Sequence, residues 1–355
     1  MARTKAKKDE KRAKLELRWA LVRAAMYGEV GEVRKLVRGA DQGILNEALH
    51  GATAQWQTIR KGDGQIKAAR LLLAAGADPD CRGGWNSDTP LLGAAADGCA
   101  GLVEVMIEHG ATLDVFAAAA IGDAARVRKL LKQDPQRAKA VDPAGLTALV
   151  CCARSKLGNS DPGKAKALAQ VAQMLLDAGA EIDYWLRREK GDGICPSLTA
   201  LEWAAHAGNA SVARVLIDRG ADVNHCGAWG TPLMSACKEC PEVGQWLLAA
   251  GARIDEPMGE QGLTALHVMA NFPHPRAVRW LIEQGADVNV KMRDGRTPLH
   301  RAAERNSGPA VAKMLVAAGA KVNARDRQGL TPLGYAVAKK KAKVADYLRE
   351  AGGME

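Results

Sequence analysis

Two thiols stand close together in Cys237-Lys-Glu-Cys240, and His225 and Cys226 precede them. Zinc takes four converging sulfur or nitrogen ligands in a tetrahedron, so this group is the chain's best metal candidate. Two more histidines, His267 and His300, each follow a threonine by three residues, in the tetrapeptides TALH and TPLH. An imidazole beside a hydroxyl is raw material for general-base chemistry, but catalysis also needs a group that orients the base and a pocket for substrate. The chain contains no HExxH, no GxSxG and no glycine-rich phosphate loop leading into a helix. The glycines of RKGDGQ (60–65) follow no strand and read as a turn. No catalytic residue, no bound metal and no cofactor is therefore expected.

The threonines in those tetrapeptides belong to a unit that recurs down the chain. It begins at Thr89 (TPLL), Thr147 (TALV), Thr199 (TALE), Thr231 (TPLM), Thr264 (TALH), Thr297 (TPLH) and Thr331 (TPLG), with steps of 32, 33, 33 and 34 residues from Thr199 onward. A second phrase keeps the same beat: AAGADPD at Ala74, DRGADVN at Asp218, EQGADVN at Glu283, AAGAKVN at Ala317. Each position has a physical role. Thr can open a helix by accepting a hydrogen bond from a free backbone N–H, and Pro suits the first helical position, where no donor is missed. An Ala pair such as Ala302 and Ala303 lets helices approach closely, and the second helix carries apolar residues at helical spacing, as in Val311, Met314 and Leu315. Gly319 then ends it in a left-handed conformation. Aligned on the threonines, Cys237 falls on the second Ala position, which favours a buried core thiol over a zinc ligand. One such unit cannot bury its apolar face alone, so the units must stack.

A period near 33 with this text resembles the ankyrin repeat, a β-turn finger plus two antiparallel helices, over residues 17–352. The resemblance implies an all-α solenoid with a concave face made of fingers and first helices. It also implies that His267 and His300 are structural, each bonding the backbone of a neighbouring finger. The variant FAAAAIGD followed by ARVRKLLKQDP in 115–143 points to the bacterial type.

Composition agrees with such a stack: 47% apolar residues but only 4% aromatic, hence a core of Ala and Leu. No apolar stretch is long enough for a membrane span, no signal-peptide pattern opens the chain, and eight cysteines show no disulfide-framework spacing, so a reduced, cytoplasmic protein is expected. Residues 1–14 read as a basic disordered tail, and 15–355 as the repeat domain, an N-terminal cap plus about nine repeats. Formal net charge is +10, concentrated in 1–18 and in Lys339, Lys340, Lys341 and Lys343.

The remaining signal is recognition. In ankyrin repeats the fourth, seventh and eighth residues after the motif Thr face the groove. Here the fourth positions are Gly93, Cys151, Trp203, Ser235, Val268, Arg301 and Tyr335, and the seventh are Ala96, Arg154, His206, Lys238, Asn271, Glu304 and Ala338. Trp203 is expected to stand open in the groove. Tyr184, Trp185, Arg187, Arg188 and Lys190 on the long preceding finger, and Trp229 on the next, are expected around it, because Trp, Tyr and Arg anchor interfaces. The expected function is binding of a partner protein by a monomer, as adaptor, inhibitor or effector. The alternative is a nucleic-acid or ribosome-associated factor using the basic tail and C-terminal lysines.

Overall fold

The computed structural model describes residues 2–53, 62–83, 88–185, 198–272 and 274–355, with backbone alone for 2–9. The chain divides into two compact units, Met1–Arg219 and Gly220–Glu355. The described elements are all helical, apart from isolated β-bridges at finger tips such as Gly83 with Asp88 and Met258 with Leu263. No helix among the described residues is long and apolar enough to cross a membrane.

The first unit stacks six helix pairs: α1 (Ala2–Tyr27) with α2 (Val30–Leu36), α3 (Gln42–Thr53) with α4 (Asp63–Ala74), α5 (Pro90–Ala96) with α6 (Ala100–Glu108), α7 (Val115–Ile121) with α8 (Ala124–Gln133), α9 (Ala148–Arg154) with α10 (Pro162–Asp177), and α11 (Ala200–Ala207) with α12 (Ala210–Asp218). The second unit stacks four: α13 (Pro232–Glu239) with α14 (Pro241–Ala249), α15 (Ala265–Asn271) with α16 (Pro275–Glu283), α17 (Pro298–Arg305) with α18 (Ala310–Ala317), and α19 (Pro332–Ala338) with α20 (Ala342–Glu350). Helix α1 begins at Ala2, so the stretch read as a disordered tail continues the first helix. Its Ala, Lys, Glu and Arg content is that of a good helix former.

The recurring phrases work as their chemistry requires. The hydroxyls of Thr89, Thr147, Thr199 and Thr231 each accept from the backbone N–H three residues on. Gly122 and Gly208 close their helices with φ of 70°. The Asn that ends the second phrase staples one repeat to the next. Asn224 accepts from the Arg253 N–H at 2.9 Å and donates to the Gly251 carbonyl at 3.1 Å. Asn289 does the same with Lys321 and Gly319, and Asn323 with Met354 and Gly352. The cores are Ala and Leu, with Leu72, Leu102, Leu168 and Leu216 fully buried in the first unit and Leu247, Leu281 and Leu315 in the second.

One repeat of the first unit departs from the pattern. Helix α7 follows α6 through only the short link 109–114, with no finger, and Asp114 caps it directly by accepting from the Ala117 N–H. The fingers on either side bond to each other across the gap. Arg82 Nη1 donates to Asp142 Oδ2 at 3.0 Å, between residues 60 apart in sequence. The Arg154 guanidinium grips both oxygens of Asp88 at 3.0 and 2.6 Å, across 66 residues. The Lys156 N–H reaches the Ala95 carbonyl at 3.0 Å.

Candidate functional site

The face formed by the first helix of each repeat differs between the two units. In the first unit it is closed along α5, α9 and α11. Gly93, Ala96, Cys151 and Arg154 are all buried there. Trp203, expected to stand open, is 3% exposed. It packs against Arg154. Drawn across the fingerless repeat to Asp88, its guanidinium lies 4.9 Å from the centre of the indole and forms the platform on which Trp203 packs. His206, half-buried one turn on, meets the indole edge-on at 6.2 Å. A buried ion pair capped by an aromatic ring leaves no opening for a ligand at this point, so Trp203 is a packing residue.

In the second unit the same register stays half-open. Ser235, Val268, Arg301 and Tyr335 at the fourth position, and Asn271 and Glu304 at the seventh, are partly exposed, while Lys238 is exposed. Beside Asn271, Phe272 is 51% exposed, with its ring 6.2 Å from that of His274. The charged members are held in place. Glu304 Oε2 accepts from Arg296 Nη1 at 3.1 Å and from Arg301 Nη1 at 3.2 Å. Arg296 also donates to Asp294 through Nε at 2.6 Å. The Tyr335 hydroxyl donates to Asp326 Oδ2 at 2.7 Å, its ring meets His300 edge-on at 5.7 Å, and Arg296 lies 5.8 Å from the ring centre. Burial and the bond to Asp326 push this phenol up to about 12, so it stays a donor at neutral pH.

The two histidines that suggested chemistry have both ring nitrogens engaged. His267 Nδ1 accepts from the Thr264 N–H at 3.3 Å and faces its hydroxyl at 3.0 Å, while Nε2 lies 3.2 Å from the Arg296 carbonyl of the next finger. His300 repeats the pattern with Thr297 and the Leu330 carbonyl. Burial lowers both imidazoles, His267 to about 4. Each is a neutral bracket between repeats: Nε2–H donates forward and Nδ1 accepts at home. In α11, Glu202 takes the home half of this role, accepting from the Thr199 N–H at 2.6 Å.

The thiols are similarly absorbed. Cys237 is 2% exposed and donates to the Met234 carbonyl at 3.1 Å, and burial pushes it up to about 12. Cys240 sits at the joint between α13 and α14. Cys151 and Cys152 are core residues, raised by burial. A second Cys–His pair appears only in the structure: Cys81 Sγ lies 3.4 Å from His50 Nε2. Burial raises that thiol to about 12 and lowers the imidazole, the reverse of what a thiolate nucleophile needs. Among the described residues no three His, Cys, Asp or Glu side chains are grouped to hold a metal ion.

Of the remaining sequence candidates, Tyr184 is half-buried, Trp185 is 39% exposed and Trp229 is half-buried on its own finger. Arg187, Arg188 and Lys190 lie outside the described residues. Phe272 holds the eighth position after Thr264, also a groove-facing register, whose residues were not among the sequence candidates.

Family comparison agrees with this geometry. The family model described as ankyrin repeats (3 copies) matches residues 164–258, 250–326 and 266–354, together more than half of the chain. A stretch of 92 residues is 38% identical to the mouse protein "Ankyrin repeat and SOCS box protein 16". That stretch is 25% of this chain, and the match spans 18% of the length of that relative.

Proposed function

We propose that this chain, which belongs to the ankyrin-repeat family, is a non-enzymatic module that binds a partner protein through the first-helix face of residues 231–338. Members of the family generally mediate protein–protein interaction. One observation about this chain carries the placement: the face closed by Arg154 and Trp203 in the first unit is half-open in the second, and the exposed Phe272 stands on it. The chemistry there is mixed, with Lys238, Asn271, Arg301, Glu304 and Tyr335 beside Val268. Fold packing alone asks only for small residues at such positions, whereas recognition uses anchored polar groups around an aromatic.

The prior ordering of the groups favours binding. Arg296, Arg301, Glu304 and Tyr335 are fixed by one another, so little side-chain entropy remains to be lost when a partner arrives. Trp185 and Trp229 are further contacts on their own fingers, while Trp203 packs within the fold. The bacterial type rests only on the variant repeat at 115–143. The test is affinity: Phe272→Asp and Lys238→Glu should each weaken capture of the native partner at least tenfold, with unchanged melting temperature. Unchanged capture in both would move the binding face elsewhere.

A further inference from the structure

The C-terminal end of this face carries charge that the fold does not neutralise. Arg305 ends α17, Lys339 follows α19, Lys340 and Lys341 form the turn into α20, and Lys343 stands in the first turn of α20. Lys339, Lys340, Lys343 and Arg305 are exposed and Lys341 is half-buried. Among the described residues none of the five pairs with a carboxylate, whereas Arg296 and Arg301 share Glu304 and Arg349 pairs with Asp346. Arg305 and Lys339 occupy the same register, eight residues after Thr297 and Thr331, on helices that pack side by side.

The turn is also strained. Lys340 has φ of 56°, the one non-glycine residue with positive φ among those described. The corresponding turns of other repeats use Gly98, Gly122 and Gly208 at φ of 75°, 70° and 70°. A side chain there costs free energy that glycine would not, and three adjacent like charges add repulsion. Residual strain concentrated on an unpaired charge cluster is a reason to look for a ligand.

Resting on the protein-binding reading above, we infer that this basic edge holds an acidic segment of the partner. Adjacent repeats lie ~8–10 Å apart, so two repeats offer an edge on the order of 20 Å. About six residues of extended chain span it at ~3.4 Å each. Phe272, 51% exposed, holds the same eighth position one repeat before Arg305. A segment of mixed acidic and apolar residues would use both the cations and this side chain. A phosphate backbone would use only the cations. The basic stripe also stops short, because the equivalent places in the two preceding repeats hold Phe272 and Glu239, and Glu239 pairs with the neighbouring Lys238 at 2.8 Å. That leaves little length for a nucleic-acid track.

The probe is a fluorescein-labelled twelve-residue peptide alternating Glu and Leu, read by fluorescence anisotropy on the full chain. A Lys-for-Glu version and a twelve-nucleotide single-stranded RNA serve as comparisons. The Glu peptide should bind, more weakly as salt rises, and the Lys peptide should not. The combined variant Arg305→Glu, Lys339→Glu, Lys343→Glu should lose at least tenfold. If that variant melts early, the single Lys343→Glu, at an exposed position on α20, gives the same reading with a smaller loss. No binding of the Glu peptide at millimolar concentration, binding indifferent to the charge reversals, or tighter binding of the RNA would each overturn the inference. Such a result leaves the broader reading intact if Phe272→Asp still abolishes capture of the native partner.

Discussion

Replacing Trp203 by Ala separates packing from recognition at one position. The indole is 3% exposed and rests on the Arg154 guanidinium at 4.9 Å. Truncating a large buried aromatic to Ala costs about 3–5 kcal/mol, because transfer free energy is lost and a cavity remains. The cation–π contact adds about 1 kcal/mol. Water admitted over the ion pair of Arg154 and Asp88 weakens it further, since the pair depends on a dry setting. In a unit of about this size each kcal/mol moves the melting temperature by roughly 2–4 °C, so a fall on the order of 10 °C is expected. Urea titration followed by circular dichroism measures it. Trp185→Ala, at a site 39% exposed, is the comparison and should cost clearly less than Trp203→Ala. Partner capture by folded Trp203→Ala protein should be unchanged. A loss below about 1 kcal/mol, or a loss of capture without a loss of stability, would refute the buried platform.

Three further outcomes are expected. Arg154→Met leaves the Asp88 carboxylate buried without its counter-ion and should cost about 3–5 kcal/mol; adding Asp88→Asn should recover much of it, a coupling that a double-mutant cycle in urea reads directly. His267 is held at about 4 by burial against an ordinary 6.5. The unfolded chain therefore takes up a proton first, so stability is full above about pH 7 and falls by roughly 3 kcal/mol between pH 6.5 and 4. The pH dependence of the urea midpoint should be shallower in His267→Gln. Lys340→Gly should stabilise the last repeat by about 1 kcal/mol by removing the side chain from a left-handed position, seen as slower hydrogen exchange in α19 and α20.

Much of the fold was legible because its determinants are local. A Thr that caps, a Pro that follows, an Ala pair and a closing Gly act within one turn of helix, and their recurrence sets the stack. The structural use of His267 and His300 was reached through the family resemblance rather than from the residues themselves. The state of the recognition face was less legible. Threonine register says which positions point toward it, but not whether something covers them. Trp203 packs on Arg154, which Asp88, two repeats before Arg154, draws across a repeat that has no finger. That contact joins residues 66 apart, and no local pattern announces it. The lysine turn was visible as charge, while its lack of carboxylate partners and the left-handed Lys340 needed coordinates.

The most direct measurement places a photo-cross-linking amino acid at single positions of the full chain. Lys238 and Phe272 represent the first-helix face of the second unit, and Glu283 and Lys313 represent its second helices. Irradiation with the native partner present should give the same cross-linked species from Lys238 and Phe272 and none from Glu283 or Lys313. Cross-links confined to Glu283 and Lys313 would contradict the proposed binding face.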